Sequence, residues 1–150
     1  MTELQEDLHI RTILAEDAEQ ISEIQTAITN PSEFIDFKQI IERHVRNEND
    51  AGLVAELNGR VVGYMISYVL FGGFGLQKSA WIATLGVHPK FMGQGIGKRL
   101  AEETLRIYRE KGVEDIYTSV RWDSLDLLSF FKTLGFDRSR FINLKKRLVS

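Results

Sequence analysis

Between Val87 and Leu100 the chain reads Val-His-Pro-Lys-Phe-Met-Gly-Gln-Gly-Ile-Gly-Lys-Arg-Leu, and this segment constrains the fold more than any other. It leaves an apolar, strand-like stretch, passes through glycines at three alternate positions (Gly93, Gly95 and Gly97) and enters a helical pattern. Glycines so placed let backbone amides turn toward a ligand with no side chain in the way. The helix that follows directs its unpaired first-turn N–H groups, and its positive dipole end, into the same space. A strand, such a turn and a helix in series make a seat for a phosphate or pyrophosphate.

Two familiar phosphate-binding turns fail against these residues. The nucleotide-triphosphate loop needs a glycine, four residues, then Gly-Lys-Ser/Thr. Gly97-Lys98 fits, but Met92 occupies the first glycine position and Arg99 replaces the metal-binding hydroxyl. The dinucleotide fingerprint Gly-x-Gly-x-x-Gly finds no third glycine at the required spacing.

The segment Met92-Gly93-Gln94-Gly95-Ile96-Gly97, preceded by Val87-His88-Pro89, resembles motif A of the GCN5-related N-acetyltransferases (GNAT superfamily), Arg/Gln-x-x-Gly-x-Gly/Ala. Met92 departs from the usual Arg or Gln but leaves every backbone donor in place. A second stretch, Phe130-Phe131-Lys132-Thr133-Leu134-Gly135-Phe136, resembles that family's Leu-Tyr-Glu-Lys-Leu-Gly-Phe signature, in the expected order and at the expected separation.

The rest of the chain reads as one domain over residues 1–150, with two prolines and no Ser/Gly-rich linker. A strand at 9–14, helices at 15–29 and 34–46, and a hairpin of 53–57 with 60–71 about Asn58-Gly59 are expected. A strand at 81–87 then leads into the glycine turn. In the helix after it, Ile96, Leu100, Thr104 and Tyr108 form an apolar stripe with Ala101 and Leu105 beside it, and Gly112 stops it. A strand at 113–122, a helix at 124–134 and a last strand or pair of strands over 137–148 complete the order. That order predicts an α/β, three-layer architecture with a mixed, mostly antiparallel sheet flanked by helices, and it matches the acyl-CoA N-acyltransferase (GNAT) fold along essentially the whole chain.

Composition narrows the function. There is no cysteine, so no disulfide framework or thiol nucleophile is available. His9, His44 and His88 have no ligand spacing, so no metal is expected. A net charge of −2 gives no electrostatic case for nucleic acid. The acidic, polar start is not a signal peptide, and the longest apolar run is too short to span a bilayer, so a cytoplasmic protein is the default expectation.

The resemblance implies that acetyl-coenzyme A is the co-substrate. Its pyrophosphate would be held by Met92, Gly93, Gln94, Gly95, Ile96, Gly97 and Lys98. The pantetheine arm would lie in a V beside Leu85, Gly86 and Val87, with Ser124, Leu127 and Phe131 on the last helix completing the site. A backbone N–H near Gly86–Val87 would polarise the thioester carbonyl. The glutamate that many members carry on the central strand is absent from Ile82-Ala83-Thr84, which leaves Asp123 as the nearest substitute, or else as the cap of the following helix beside Ser124. Ser124 stands at the family's frequent asparagine, and Phe131 replaces the tyrosine that commonly protonates the leaving sulfur.

In the same fold the acceptor site is built by the linker between the first two helices and the loop before the central strand. Glu33, Phe34 and Phe74 are the candidate substrate contacts. Glu33 and Asp36 would attract a cationic amine, or else complement a helix N-terminus behind a Ser32 cap. The expected activity is acetyl transfer to a primary amine, on a protein or a small molecule, in a ternary complex. A non-catalytic acyl-coenzyme A-binding module is the alternative, and a homodimer is a frequent state in the family.

Overall fold

Asn58 (φ 51°) and Gly59 (φ 78°) both take the left-handed conformation that a two-residue Asn-Gly hairpin demands. They join β2 (Gly52–Leu57) to β3 (Arg60–Phe71), and the sheet grows from this hairpin. The computed structural model describes residues 7–28, 36–47 and 49–149, with Phe74 by its backbone alone. Among them, β1 (Leu8–Thr12), β4 (Lys78–Val87) and β5 (Ile116–Thr118) complete a five-stranded sheet in the order β1-β2-β3-β4-β5. Every pair is antiparallel except β4 with β5, which is parallel.

Helices cover both faces. On one, α1 (Ala18–Ile28) and α2 (Phe37–His44) bring Ile21, Ile24, Phe37 and Ile41 onto Val54, Val61, Tyr64 and Ile66. On the other, α3 (Ile96–Glu110) and α4 (Leu125–Thr133) bring Ile96, Leu100, Ala101 and Phe131 onto Leu53, Ala55, Met65 and Ile82. The stripe expected on α3 is buried as written, with Leu105 half-buried at its edge. Burying each such apolar side chain contributes about 1.5–3 kcal/mol. The three-layer α/β architecture is therefore the one expected.

Two polar networks lock the layers. Arg11 on β1 donates from both terminal nitrogens to Asp17 at 2.8 Å, and from Nε to Glu56 on β2 at 2.5 Å. Burial works against the Asp17 charge, but Arg11 and the Leu14 amide outweigh it and hold the carboxyl below its usual range. At the far end of α3, the Ala51 N–H donates to the Tyr108 hydroxyl (2.9 Å) and the Ser67 hydroxyl donates to the Ala51 carbonyl (2.5 Å). Tyr108 and Ser67 oxygens lie 2.7 Å apart, so the Tyr108 proton closes a buried ring of three hydrogen bonds.

Several expected boundaries move. The first helix is preceded by a 3-10 turn at Ala15–Asp17, and the second is described only as Phe37–His44. The strand expected over 113–122 is only Ile116–Thr118, because beyond Thr118 the chain diverges from β4. Residues 137–149 belong to no strand or helix among the described residues, which corrects the strand expected over 137–148. Among the described residues, no strand of the sheet pairs with this segment.

Candidate functional site

β4 and β5 pair only at Ala80 with Ile116, Trp81 with Tyr117 and Ile82 with Thr118. The Thr118 hydroxyl donates to the Ile82 carbonyl at 3.1 Å and closes the apex. Directly beyond it, Ile66 opposes Thr84 while Ser67 opposes Ile82, so Ala83 is the extra residue of a bulge. A bulge bends its strand and strengthens the local twist. The two parallel strands therefore part from Ala83 onward and form a V. Leu85, Gly86 and Val87 are held on their β3 edge opposite Met65, Tyr64 and Gly63, and their other edge faces the V.

Gly86 is required by packing. A β-carbon there would lie 2.8 Å from the Tyr64 ring. Tyr64 is buried, which pushes its phenol up, and its hydroxyl is hydrogen-bonded to Thr84. This ring supports the strand from the α1–α2 face and gives it a rigid back.

The glycine turn follows at the open end of the V. His88 donates its N–H to the Val62 carbonyl (2.9 Å), and its Nδ1 accepts from the Lys90 amide (3.2 Å), setting up a 3-10 turn at Pro89–Phe91. Gly93 (φ 79°) and Gly95 (φ 81°) are left-handed, and a β-carbon at either would meet nothing within 4 Å. Their role is backbone conformation, with open space above. The first helical bond of α3 runs from the Arg99 N–H to the Gly95 carbonyl at 3.1 Å. The amides of Ile96, Gly97 and Lys98 thus precede the helical ladder and have no acceptor within it. No acidic side chain occupies this first turn. Met92 is exposed and adds no polar group, and Gln94 lies exposed in the turn.

Gly97 is in regular helix, and a β-carbon there would sit 3.4 Å from the Phe130 ring. The two sequence signatures therefore meet in space. Phe131 itself is only 4% exposed, packed edge-on against Phe130 (5.2 Å) and Phe136 (5.1 Å) in the core beside α3. Ser124 holds the N-cap position of α4, but its side chain makes no capping bond, and Leu127 is exposed on the same helix. Asp123 does not cap the helix either. Arg121 donates to both its oxygens (3.1 and 3.0 Å), and that hydrogen bonding holds the carboxyl below its usual range.

Of the acceptor candidates, Glu33 and Phe34 lie outside the described residues, and so does the Phe74 side chain. The turn carrying Phe74 joins β3 to the start of β4. It is separated from the glycine turn by a ten-residue strand, about 33 Å. Asp36 caps α2, accepting from the Gln39 N–H at 3.3 Å. Sequence reasoning missed the Ala83 bulge and the Tyr64–Thr84 support. Neither leaves a local signal, because both depend on how β3 and β4 register.

Among the described residues, no group of three His, Asp or Glu side chains is placed to hold a metal, and no helix is long and apolar enough to cross a membrane.

The solved structures carry the same architecture. The chain superposes on an aminoglycoside acetyltransferase, meta-AAC0020, from an uncultured soil metagenomic sample, with a TM-score of 0.80, 22% identity and coverage of 98% of this chain and 100% of that one. Aminoglycoside N-acetyltransferase AAC(6')-Iy, in complex with a bisubstrate analogue of coenzyme A and acetylneamine, gives 0.77 at 17% identity over 93% and 98% of the two chains. A transcriptional regulator from Bacillus halodurans C-125 gives 0.78 at 20% identity over 94% and 99%. At these identities the likeness is one of fold. The sequence model for the acetyltransferase (GNAT) family matches residues 13–136, from the end of β1 through the V, the glycine turn and the Gly135-Phe136 stop. With the strand–turn–helix site and the sheet that frames it, that match settles the kinship: the chain belongs to the acetyltransferase (GNAT) family.

Proposed function

We propose that this protein transfers the acetyl group of acetyl-coenzyme A to a primary amine by direct attack in a ternary complex. The observation that carries the reading is the continuity of the V with the glycine turn. The open β4 edge at Leu85–Val87 leads straight to the first-turn amides of Ile96, Gly97 and Lys98, through two glycines held at φ near 80°. The complex of AAC(6')-Iy with a bisubstrate analogue supports the assignment by analogy of fold.

Acetyl-coenzyme A supplies an activated acyl group and a thiol leaving group. The amides of residues 93–98 would hold the diphosphate, with the α3 dipole adding to them. Leu85, Gly86 and Val87 would pair with the extended arm as a strand edge does. A strand N–H near Gly86–Val87 would polarise the thioester carbonyl in the V. Ser124 and Leu127 would line the second wall from α4, with Phe131 supporting it from within.

The chain's acid–base equipment is sparse. An alkylammonium has a pKa near 10, about that of lysine, and Asp123 is a weak base because Arg121 stabilises its charged form. Phe131 has no proton to give. Acceleration would rest chiefly on proximity and orientation, with water taking the amine proton. These same features favour the second reading, a non-catalytic acyl-coenzyme A-binding module.

A panel of primary amines, from lysine peptides to aminoglycosides, with thiol release as the readout, tests the proposal. Release dependent on both substrates supports it, while tight acetyl-coenzyme A binding without turnover on any amine supports the binding module.

A further inference from the structure

The bulge at Ala83 decides which side chains share a face. Trp81 and Thr84 are three positions apart on β4, so on a regular strand they would point to opposite sides of the sheet. With an extra residue between them, both point to the α1–α2 face. Trp81 opposes Tyr68, Thr84 opposes Ile66, and Ile66 lies in the core beneath those helices. Tyr68 follows Tyr64 and Ile66 at alternate positions on β3, and Tyr117 opposes Trp81 on β5. Tyr68, Trp81 and Tyr117 thus form a row of aromatic side chains across three adjacent strands.

None of the three belongs to the core that α1 and α2 cover. Tyr68 is exposed, and Trp81 and Tyr117 are half-buried. The Trp81 and Tyr117 rings stack at 4.6 Å, and Phe141 meets Tyr117 edge-on at 5.9 Å. Trp81 Nε1 donates to Ser79 Oγ at 2.8 Å, which fixes the indole. Ala83 is exposed although β4 is an internal strand, so solvent reaches the sheet at the apex of the V. Thr84 stands at that opening, half-buried, with its hydroxyl bonded to Tyr64. That bond occupies at most one of the two lone pairs on Thr84 Oγ1, so the oxygen can accept an N–H from a ligand.

We propose, on the acetyl-transfer reading of the V, that this face is the acceptor site and that the acceptor is a monoamine joined to a planar aromatic body by a short alkyl chain. The aromatic body stacks on the Tyr68–Trp81–Tyr117 row, whose ring faces also attract an ammonium. Thr84 Oγ1 accepts from the amine nitrogen and holds it toward the V. From Trp81 to Ala83, where the strands part, is about 7 Å along the strand, within reach of a short alkyl chain. Charge disfavours a polycationic acceptor. None of Tyr68, Trp81, Ala83, Thr84, Tyr117 and Phe141 is acidic, so further ammonium groups would meet no carboxylate from this floor. In the transfer, the amine lone pair forms the N–C bond and the C–S bond breaks. The thiolate leaves with coenzyme A, and water takes the proton from nitrogen.

Trp81 reports directly on this face once Trp122, the other tryptophan and an exposed one, is replaced by phenylalanine. In the Trp122→Phe protein, phenylethylamine is expected to change the Trp81 emission saturably at sub-millimolar concentration. Cyclohexylethylamine, equal in charge but not planar, and the polycation kanamycin are expected to bind at least tenfold more weakly. Tyr68→Leu is expected to weaken phenylethylamine binding at least fivefold. Thr84→Val is expected to do the same and Thr84→Ser to retain binding, a contrast that a role in filling space alone would not give. No saturable change, equal binding of kanamycin or cyclohexylethylamine, or binding indifferent to Tyr68→Leu and Thr84→Val overturns the proposal. Calorimetric titration of acetyl-coenzyme A reads the V separately: absent co-substrate binding tells against acetyl transfer, while the Trp81 emission still decides the acceptor face.

Discussion

Gly97 and Phe130 are in contact: a β-carbon added to Gly97 would lie 3.4 Å from the Phe130 ring. One residue belongs to the glycine turn, the other to the last helix, and their contact ties the two signatures into one site. A 3.4 Å approach is ordinary packing, so nothing in the fold itself forbids alanine at 97. Glycine within a helix costs roughly 0.5–1 kcal/mol relative to alanine. The account therefore predicts that Gly97→Ala raises the melting temperature or leaves it unchanged, and that acetyl-coenzyme A affinity holds within about threefold, since the added methyl group points at Phe130 and not into the open space above Gly93 and Gly95. A large loss of affinity in this variant would show that the diphosphate approaches the backbone of Gly97 itself.

Gly95→Ala should behave differently. At φ 81° a side chain is strained whatever the space around it, at a cost of order 1–3 kcal/mol. Both melting temperature and affinity are expected to fall, and thermal melts with and without acetyl-coenzyme A separate the two losses.

Tyr108→Phe should destabilise without touching the site. The substitution removes the acceptor of the Ala51 N–H, within a buried ring of hydrogen bonds. Leaving that donor without a partner costs about 1–3 kcal/mol. Urea unfolding checks the magnitude, and the affinity for acetyl-coenzyme A is expected to hold within twofold.

The fold was legible wherever the determining contacts are local. Asn58-Gly59 names its own turn, and the Ile96–Tyr108 stripe names its own face, because both depend on residues a few positions apart. What escaped notice depends on distant partners. β5 shrinks to three residues because the strand beyond Thr118 turns away to open the V, which no alternation pattern reveals. Asp123 was readable as a helix cap or a base, and its carboxylate bonds Arg121 instead of capping α4. His44 was scattered among three histidines in the sequence and is in fact buried against Gly52, where a β-carbon would come within 2.3 Å of its Nε2.

That histidine carries a pH dependence. Burial lowers its pKa below the usual 6.5, with Asp50 opposing the shift. The unfolded chain then binds the proton more readily than the folded one. The stability His44 contributes is present above pH 6.5 and is lost as the pH falls toward its lowered folded value. Melting temperatures measured between pH 7.5 and 5 should decline, and His44→Gln should flatten the decline.

Asp123→Asn is expected to change turnover less than threefold, because Arg121 already holds the carboxylate in its charged, weakly basic form. A loss of a hundredfold or more in kcat, with KM unchanged, would assign Asp123 as the base after all.

Calorimetric titration of acetyl-coenzyme A into the protein, with ATP as the comparison ligand, tests the central claim most directly. The account predicts micromolar binding of acetyl-coenzyme A, far weaker binding of ATP, and weakened acetyl-coenzyme A binding in Gly95→Ala. Absence of acetyl-coenzyme A binding up to millimolar concentration would contradict it and leave the family fold without its co-substrate.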